Sequence, residues 1–448
     1  MEKNSFTSGK ILAPLLRFAL PVLLALLLQA MYGAVDLMVV GKFARTADIS
    51  GVSTGSQLMQ MVTFAVTSLA MGLTVLIGQR IGEQRPREAG RVVGSGLCLF
   101  ALVGAGLTIA MLLLAAPLAR LMQAPEEAFS ETVAYLRICG GGTLFIVAFN
   151  VLGSIFRGIG DAKMPLITVG IACVVNIAGD LLCVAVLGMG AAGAAVATVA
   201  AQAVSVVISI LVIARRKLPF TMERADVRLD PVQTGSILRI GIPLALQDFL
   251  VSVSFAVILA IVNSLGLTFS AAMGVAEKVC AFIMLIPSAY MQSMSAFVAQ
   301  NIGAGQPDRA RKALCYGILT SVAASLLLFY ITYFHGALLA GVFANEQAVI
   351  LAAADYLRAY AIDCILTCFL FCFIGYFSGL GRTTFVMIQG IAGAFLIRIP
   401  VSFFVSRQSG ATLFRIGLAT PISSVLQILL CFGYFFMLRR QEQKDALS

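Results

Sequence analysis

From Val52 to Gly78 the chain carries no charged residue, and the same holds from Val92 to Leu118, Ala191 to Ala214 and Ala313 to Phe334. Each run exceeds the roughly 20 residues that cross a bilayer core as helix. In lipid an open backbone N–H or C=O finds no water, so such runs must close their hydrogen bonds internally as helices. Composition agrees, with 60% of the 448 residues hydrophobic and 12% charged, at a mean hydropathy of +0.98, outside the soluble range. The expected fold class is an all-α integral membrane protein. Twelve transmembrane helices are expected, near 17–41, 52–78, 92–118, 132–156, 164–187, 191–213, 240–265, 272–300, 313–341, 348–378, 383–405 and 413–438. The first run precedes eleven others and lacks a small-residue cleavage site, so it reads as a retained span rather than a signal peptide.

The net charge of +10 follows loop parity and does not point to nucleic acid. The N-terminus, even-numbered loops and C-terminus hold twenty-two Lys and Arg, from Lys3, Lys10 and Arg17 through the group that includes Lys217 to Arg439, Arg440 and Lys444. The odd-numbered loops hold five, Lys42, Arg45, Arg120, Arg407 and Arg415. Basic residues stay on the cytoplasmic side, so both termini are expected there.

A phrase then recurs. "GQRIGEQRPREAGR" begins at Gly78 and "AQNIGAGQPDRARK" at Ala299, with Gln79 matching Gln300 and Gly82 matching Gly303 at an offset of 221 (300 − 79). "YLR" at Tyr135 returns at Tyr356, "RGIGD" at Arg157 as "SGLGR" at Ser378, and "RFALP" ending at Pro21 as "RIGIP" ending at Pro243. The reading is two six-span lobes, 1–214 and 240–448, joined by a cytoplasmic linker over 215–239. Six crossings return the chain to its starting side, so the lobes share one orientation and a pseudo-twofold axis along the membrane normal. Repeats of this kind are the architecture of alternating-access transporters.

Enzymatic and ATP-driven classes lack support. There is no G-x-x-x-x-G-K-[ST] phosphate loop, no H-E-x-x-H or G-x-S-x-G motif, and a single histidine, His335, read as solvated. The ten cysteines form no metal-type doublets, and Cys364, Cys368 and Cys372, four apart on one helix face, read as small packing residues. Neither cofactor nor resident metal is expected.

Ionisable residues inside spans are costly and point to function. The repeat does not duplicate them: Asp36 answers to Ile258, Asp180 to Pro400 and Asn176 to Leu396. Asn176 and Asp180, four apart, share a helix face about 6 Å apart along the axis. Their oxygens suit a hard monovalent cation such as Na+ bound transiently with Asp36, or a proton on the Asp. Asn150 and Thr198 either complete the site or bond a neighbouring helix. The second half offers Gln247, Asp248, Glu277 and Asp363, with Lys278 beside Glu277 as a neutralising neighbour or a separate charge. A negatively biased cavity lined with Phe and Met favours small cationic organic substrates.

The order and spacing of "LPVLLALLLQAMYGAVDLMVVGK", "NIAGD", "GAAGAAVATVAAQ" and the paired "GQRIG" and "AQNIGAGQPDRARKA" resemble the multidrug and toxic compound extrusion (MATE) family across nearly the whole chain. The DinF-like branch is more similar than the NorM-like one. The resemblance implies a secondary active multidrug exporter of the bacterial inner (plasma) membrane, working as a monomer and driven by H+ or Na+. It places cation or proton binding on Asp36, Asn176, Asp180 and Thr198, and a hinge at Pro21. Tyr32, Asn150, Gln247, Asp248, Glu277 and Asp363 become candidate substrate contacts. The rival reading is a lipid-linked precursor flippase of related two-lobed architecture. It calls for a strongly cationic cavity, against which Lys278 and Arg398 are the main in-span cations.

Overall fold

A computed structural model describes residues 6–216, 218–408 and 410–445; Lys3 and Lys217 lie outside the described residues. Among the described residues every regular element is helical. The N-terminal part of the chain forms α1 (Leu12–Phe43), α2 (Thr46–Gly82), α3 (Pro86–Leu121), α4 (Phe129–Gly141), α5 (Thr143–Gly158), α6 (Lys163–Asp180) and α7 (Gly190–Arg215). After these come α8 (Pro231–Asn263), α9 (Leu267–Ile283), α10 (Leu285–Gly303), α11 (Pro307–Gly341), α12 (Gln347–Gly379), α13 (Thr383–Ile391), α14 (Ile399–Ser406), α15 (Leu413–Gly417) and α16 (Ala419–Asp445).

Eleven helices among the described residues are long and apolar enough to cross a membrane, and they number twelve when one bent pair is counted as a single span. The span expected at 132–156 turns by 52° between α4 and α5, at the run Gly140-Gly141-Gly142. A Cβ at Gly142 would strike the Val199 side chain, so the glycine lets α7 approach the bend. Prolines fix several starts, because a residue at the first helical position needs no N–H partner. Pro231 begins α8 inside the stretch expected as linker, and Pro307 begins α11. His335 is exposed, as expected, and it also interrupts the helical backbone of α11 at φ −123°, ψ 25°.

The doubled phrase is a doubled helix stop. After α2, Arg85 N–H donates to the Arg80 carbonyl and Gln84 N–H to that of Ile81; after α10, Gln306 N–H donates to Asn301 and Gly305 N–H to Ile302. This pair of reversed bonds closes a helix through one left-handed residue, here Gln84 at φ 58° and Gly305 at φ 67°. "RGIGD" and "SGLGR" repeat the device, with Asp161 bonding Phe156 and Arg382 bonding Phe377 around Gly160 and Gly381.

The chain divides into two units. Unit 1 comprises 1–7, 16–245 and 299–306, and unit 2 comprises 8–15, 246–298 and 307–448. Unit 1 packs Val40, Val52, Met59, Met111, Tyr135, Ile146 and the alanine-rich start of α7 into one core. Asp48 stitches that core at one end. Its Oδ2 accepts from the Arg45 backbone N–H at 3.1 Å and its Oδ1 from Ala191 N–H at 3.0 Å, so one buried carboxylate caps both α2 and α7. Asp48 and Glu131 hold the exposed Arg45 guanidinium above its usual pKa, the Asp48 hydrogen bond acting most strongly. Unit 2 is centred on Ile258, Met273, Ala276, Ala353, Tyr356 and Tyr360. Here the cysteine ladder packs as read: Ser325 Oγ lies 2.8 Å from Cys368 Sγ, and Ser321 Oγ 3.5 Å from Cys372 Sγ, joining α11 to α12. Outside both cores large apolar side chains stand open, among them Leu113, Leu121 and Val186 at 74%, 76% and 75% exposure. A soluble monomer does not carry so extensive an apolar surface.

Within unit 1 the two copies of the phrase touch. A Cβ on Gly82 would collide with the Gln300 carbonyl oxygen, and one on Gly303 with that of Gln79. Gln300, wholly buried, donates through Nε2 to the Gly158 carbonyl at 2.9 Å. Gly303→Leu should therefore cost at least about 1–3 kcal/mol by overpacking against backbone. Thermal unfolding of the detergent-purified protein checks this, with Gly106→Ala, which meets open space, as the unaffected control.

Candidate functional site

Three helices of unit 1 each present a polar pair one turn apart: Tyr32 and Asp36 on α1, Asn176 and Asp180 on α6, Thr198 and Gln202 on α7. Residues four apart share a helix face, so three such faces can close on one another. The Asp36 and Asp180 carboxyl groups act on one another, bringing α1 and α6 together at the site. Asn176 Nδ2 lies 3.4 Å from Thr198 Oγ1, a long hydrogen bond linking α6 to α7. The Gln202 side chain adjoins the Tyr32 hydroxyl, linking α7 to α1.

Local backbone explains the closure. A Cβ on Gly179 would sit 2.9 Å from the Ala197 Cβ, so α6 and α7 approach closely beside Asn176 and Thr198. Immediately after Asp180 the helix widens into a π-helical stretch, Leu181–Val186. Such widening recurs at functional sites because it re-aims side chains within a continuous helix.

The electrostatics are unbalanced. Asp36, Asn176 and Asp180 are 6%, 1% and 0% exposed. Asp36 Oδ1, Asn176 Oδ1, both Asp180 oxygens and Gln202 Oε1 are buried without a hydrogen-bond partner. Among the described residues no basic side chain acts on either acid. An uncompensated buried carboxylate costs several kcal/mol, and two in contact repel by a further amount of order 4 kcal/mol at an effective dielectric near 20. The donor set, all oxygen, suits a hard monovalent cation or a proton.

Other candidate residues are placed elsewhere. Asn150 takes a hydrogen bond from Thr67 Oγ1 at 3.0 Å and donates to the Ile146 carbonyl at 2.8 Å, so its amide ties α5 to α2. Pro21 lies inside α1 and Pro243 inside α8. Gln247, Asp248, Glu277 and Asp363 belong to unit 2. Gln247 is buried against Gly390 with Oε1 unpartnered, and Asp248 is half-buried. Glu277 is exposed, and Lys278 lies over the Phe343 ring at 5.9 Å with no ion pair to Glu277 among the described residues. Asp363, 2% exposed, accepts from Ser424 Oγ at 2.6 Å and lies within electrostatic reach of Arg398.

Two unit 1 residues escaped the sequence reading. Gln202 was signalled by its spacing of four from Thr198. Tyr135, within electrostatic reach of Asp36, was visible only as part of the repeated "YLR".

A bundle of membrane-length helices around a buried, cation-deficient carboxyl pair defines a membrane transporter. A family model described as MatE matches residues 21–182 and 243–404, two matches whose starts lie 222 apart (243 − 21). The chain belongs to this family of multidrug efflux transporters and is not an enzyme. Among its relatives, "Probable multidrug resistance protein YoeA" of Bacillus subtilis is 25% identical over 96% of this chain and 94% of its own. A protein named "FAD transporter" from Shewanella oneidensis is 23% identical over 96% of each chain. A solved structure described as the outward-facing conformation of a multidrug resistance MATE family transporter of the MOP superfamily superposes with a TM-score of 0.92, at 20% identity and 99% coverage of both chains. That likeness establishes the fold.

The carboxyl contact carries a stability consequence. Asp36→Asn removes one of two facing carboxyls and should raise the melting temperature of the purified protein at pH 10 in sodium-free buffer, where repulsion between the ionised pair is greatest, by roughly 2–4 °C. A fall of that size would mean that the pair is not under mutual repulsion.

Proposed function

We propose that the chain is a secondary active exporter that antiports cationic or amphiphilic organic compounds against H+ or Na+ by alternating access. The observation that carries the reading is the set of buried, unpartnered oxygens on Asp36, Asn176, Asp180 and Gln202. A positive charge is missing there, and a coupling ion supplies it. Asp36, Asn176, Asp180 and Thr198 bind that cation or proton. Tyr32, Asn150, Gln247, Asp248, Glu277 and Asp363 are assigned to substrate.

Coupling requires that the ion bind one conformational state better than the other. In unit 1 the means is direct, since Asp36 and Asp180 stand on different helices and an ion between them turns repulsion into attraction. Pro21, which removes one helix bond from α1, is the hinge through which α1 responds. The loop charge asymmetry supports a multi-pass protein with both termini cytoplasmic, in the bacterial inner membrane. The protein works as a monomer of two six-span lobes, 1–214 and 240–448 around a linker at 215–239. The names of its relatives support organic cargo. The flippase reading is not favoured, because Arg398, a main cation it needs, has its charge answered by Asp363.

Everted vesicles that take up a fluorescent cationic dye from the medium, with the lumen made acidic or sodium-rich, test the coupling role. Asp36→Asn and Asp180→Asn should each reduce gradient-driven transport at least tenfold. Parental rates in Asp36→Asn under both proton and sodium gradients would overturn the assignment.

A further inference from the structure

The repeat builds a second buried charged centre in unit 2, with the opposite electrical outcome. Asp363 on α12 is 2% exposed and accepts a hydrogen bond from Ser424 on α16. Arg398, 6% exposed, ends the π-helical stretch Ala392–Arg398. Its guanidinium lies 4.4 Å over the Phe255 ring, and Nη1 donates to Ser254 Oγ at 3.2 Å, both partners on α8. Its Nε is buried without a hydrogen-bond partner. Asp363 and Arg398 form no contact ion pair, yet each acts electrostatically on the other, with Tyr356 and Tyr360 in the same field. Glu277 also acts on Tyr356, from an exposed position.

The two centres share scaffold. Tyr356, at the repeat position of Tyr135, stands by Asp363 and Arg398 as Tyr135 stands by Asp36. The charges do not match. Arg398 answers to Ala178 at the offset of 220, and Asp180 to Pro400, so the corresponding helix carries an acid in one repeat and a base two residues away in the other. Among the described residues the unit 1 centre holds two facing carboxyls and no basic side chain; the unit 2 centre holds one carboxyl and a guanidinium that stays protonated.

We propose that Arg398 is the resident cation of unit 2, which balances Asp363 from within and thereby keeps a coupling ion out of that unit. A monovalent cation approaching Asp363 meets a pair already neutral and a fixed positive charge that repels it, so a substrate contact at Asp363 is made by the uncharged part of an amphiphile. Phe255 and Ser254 hold the guanidinium in place, by cation–π attraction and by hydrogen bond. Arg398 is thus a specificity-determining residue, confining ion binding to unit 1. The contrast with unit 1 rests on the function proposed above, whereas the claim about unit 2 stands without it.

The test uses full-length protein in detergent and reads melting temperature in sodium chloride against choline chloride at pH 8, and in choline chloride at pH 6 against pH 8. Asp36→Asn/Asp180→Asn should remove the ion response of the parent; a parent with no response would count against the unit 1 reading alone. In that background Arg398→Gln should create a new sodium- or proton-dependent rise of about 2 °C or more, and adding Asp363→Asn should abolish it. Two results overturn the proposal: a response in the Asp36→Asn/Asp180→Asn protein that Asp363→Asn removes, or no new response on Arg398→Gln. Should Arg398→Gln fail to fold, the charge-neutral Arg398→Gln/Asp363→Asn protein decides. Recovery of folded yield over either single variant supports internal balance, and a yield below both contradicts it.

Discussion

Two carboxyl groups, Asp36 and Asp180, face each other in the interior of unit 1 with no positive charge to separate them. When both are ionised they repel each other across α1 and α6. Gly179 brings α6 close to α7 beside the acids, and Asp48 fixes the start of α7 by holding the Ala191 N–H. The Asn176–Thr198 and Tyr32–Gln202 approaches close the remaining sides of the triangle. The three helix faces thus surround a carboxyl pair on which, among the described residues, no basic side chain acts.

The repeat and its failures divide the labour. What recurs is backbone: the left-handed residues Gln84 and Gly305, then Gly160 and Gly381, end equivalent helices with equivalent hydrogen bonds. What does not recur is charge. Asp36 and Asp180 have apolar or imide counterparts in Ile258 and Pro400, while Arg398 and Asp363 answer to Ala178 and Gly142. The scaffold is duplicated and the buried charge is not.

Much of this was legible in the sequence for physical reasons. Uncharged runs longer than a bilayer core require membrane-spanning helices, and spacing by four puts Asn176 and Asp180 on one face. Periodicity names a face but not the helix it meets. It therefore left open which helix Asn150 meets, and the structure gives it a hydrogen bond from Thr67 on α2. The same limit hid the interplay of Asp363 and Arg398, which lie 35 positions apart (398 − 363) on separate elements. Hydropathy also does not register bends. The turn at Gly142 and the π-helical stretches Leu181–Val186 and Ala392–Arg398 lie within continuous apolar runs.

The central claim is that the charge missing between Asp36 and Asp180 is supplied by an ion moving down its gradient. Proteoliposomes holding the purified parent protein, with a proton gradient, a sodium gradient or neither imposed, and dye movement followed by fluorescence, test it most directly. The account predicts dye transport against its own gradient under at least one ion gradient, and none when both are absent. Uphill transport with neither gradient, or only downhill leakage under both, would contradict it.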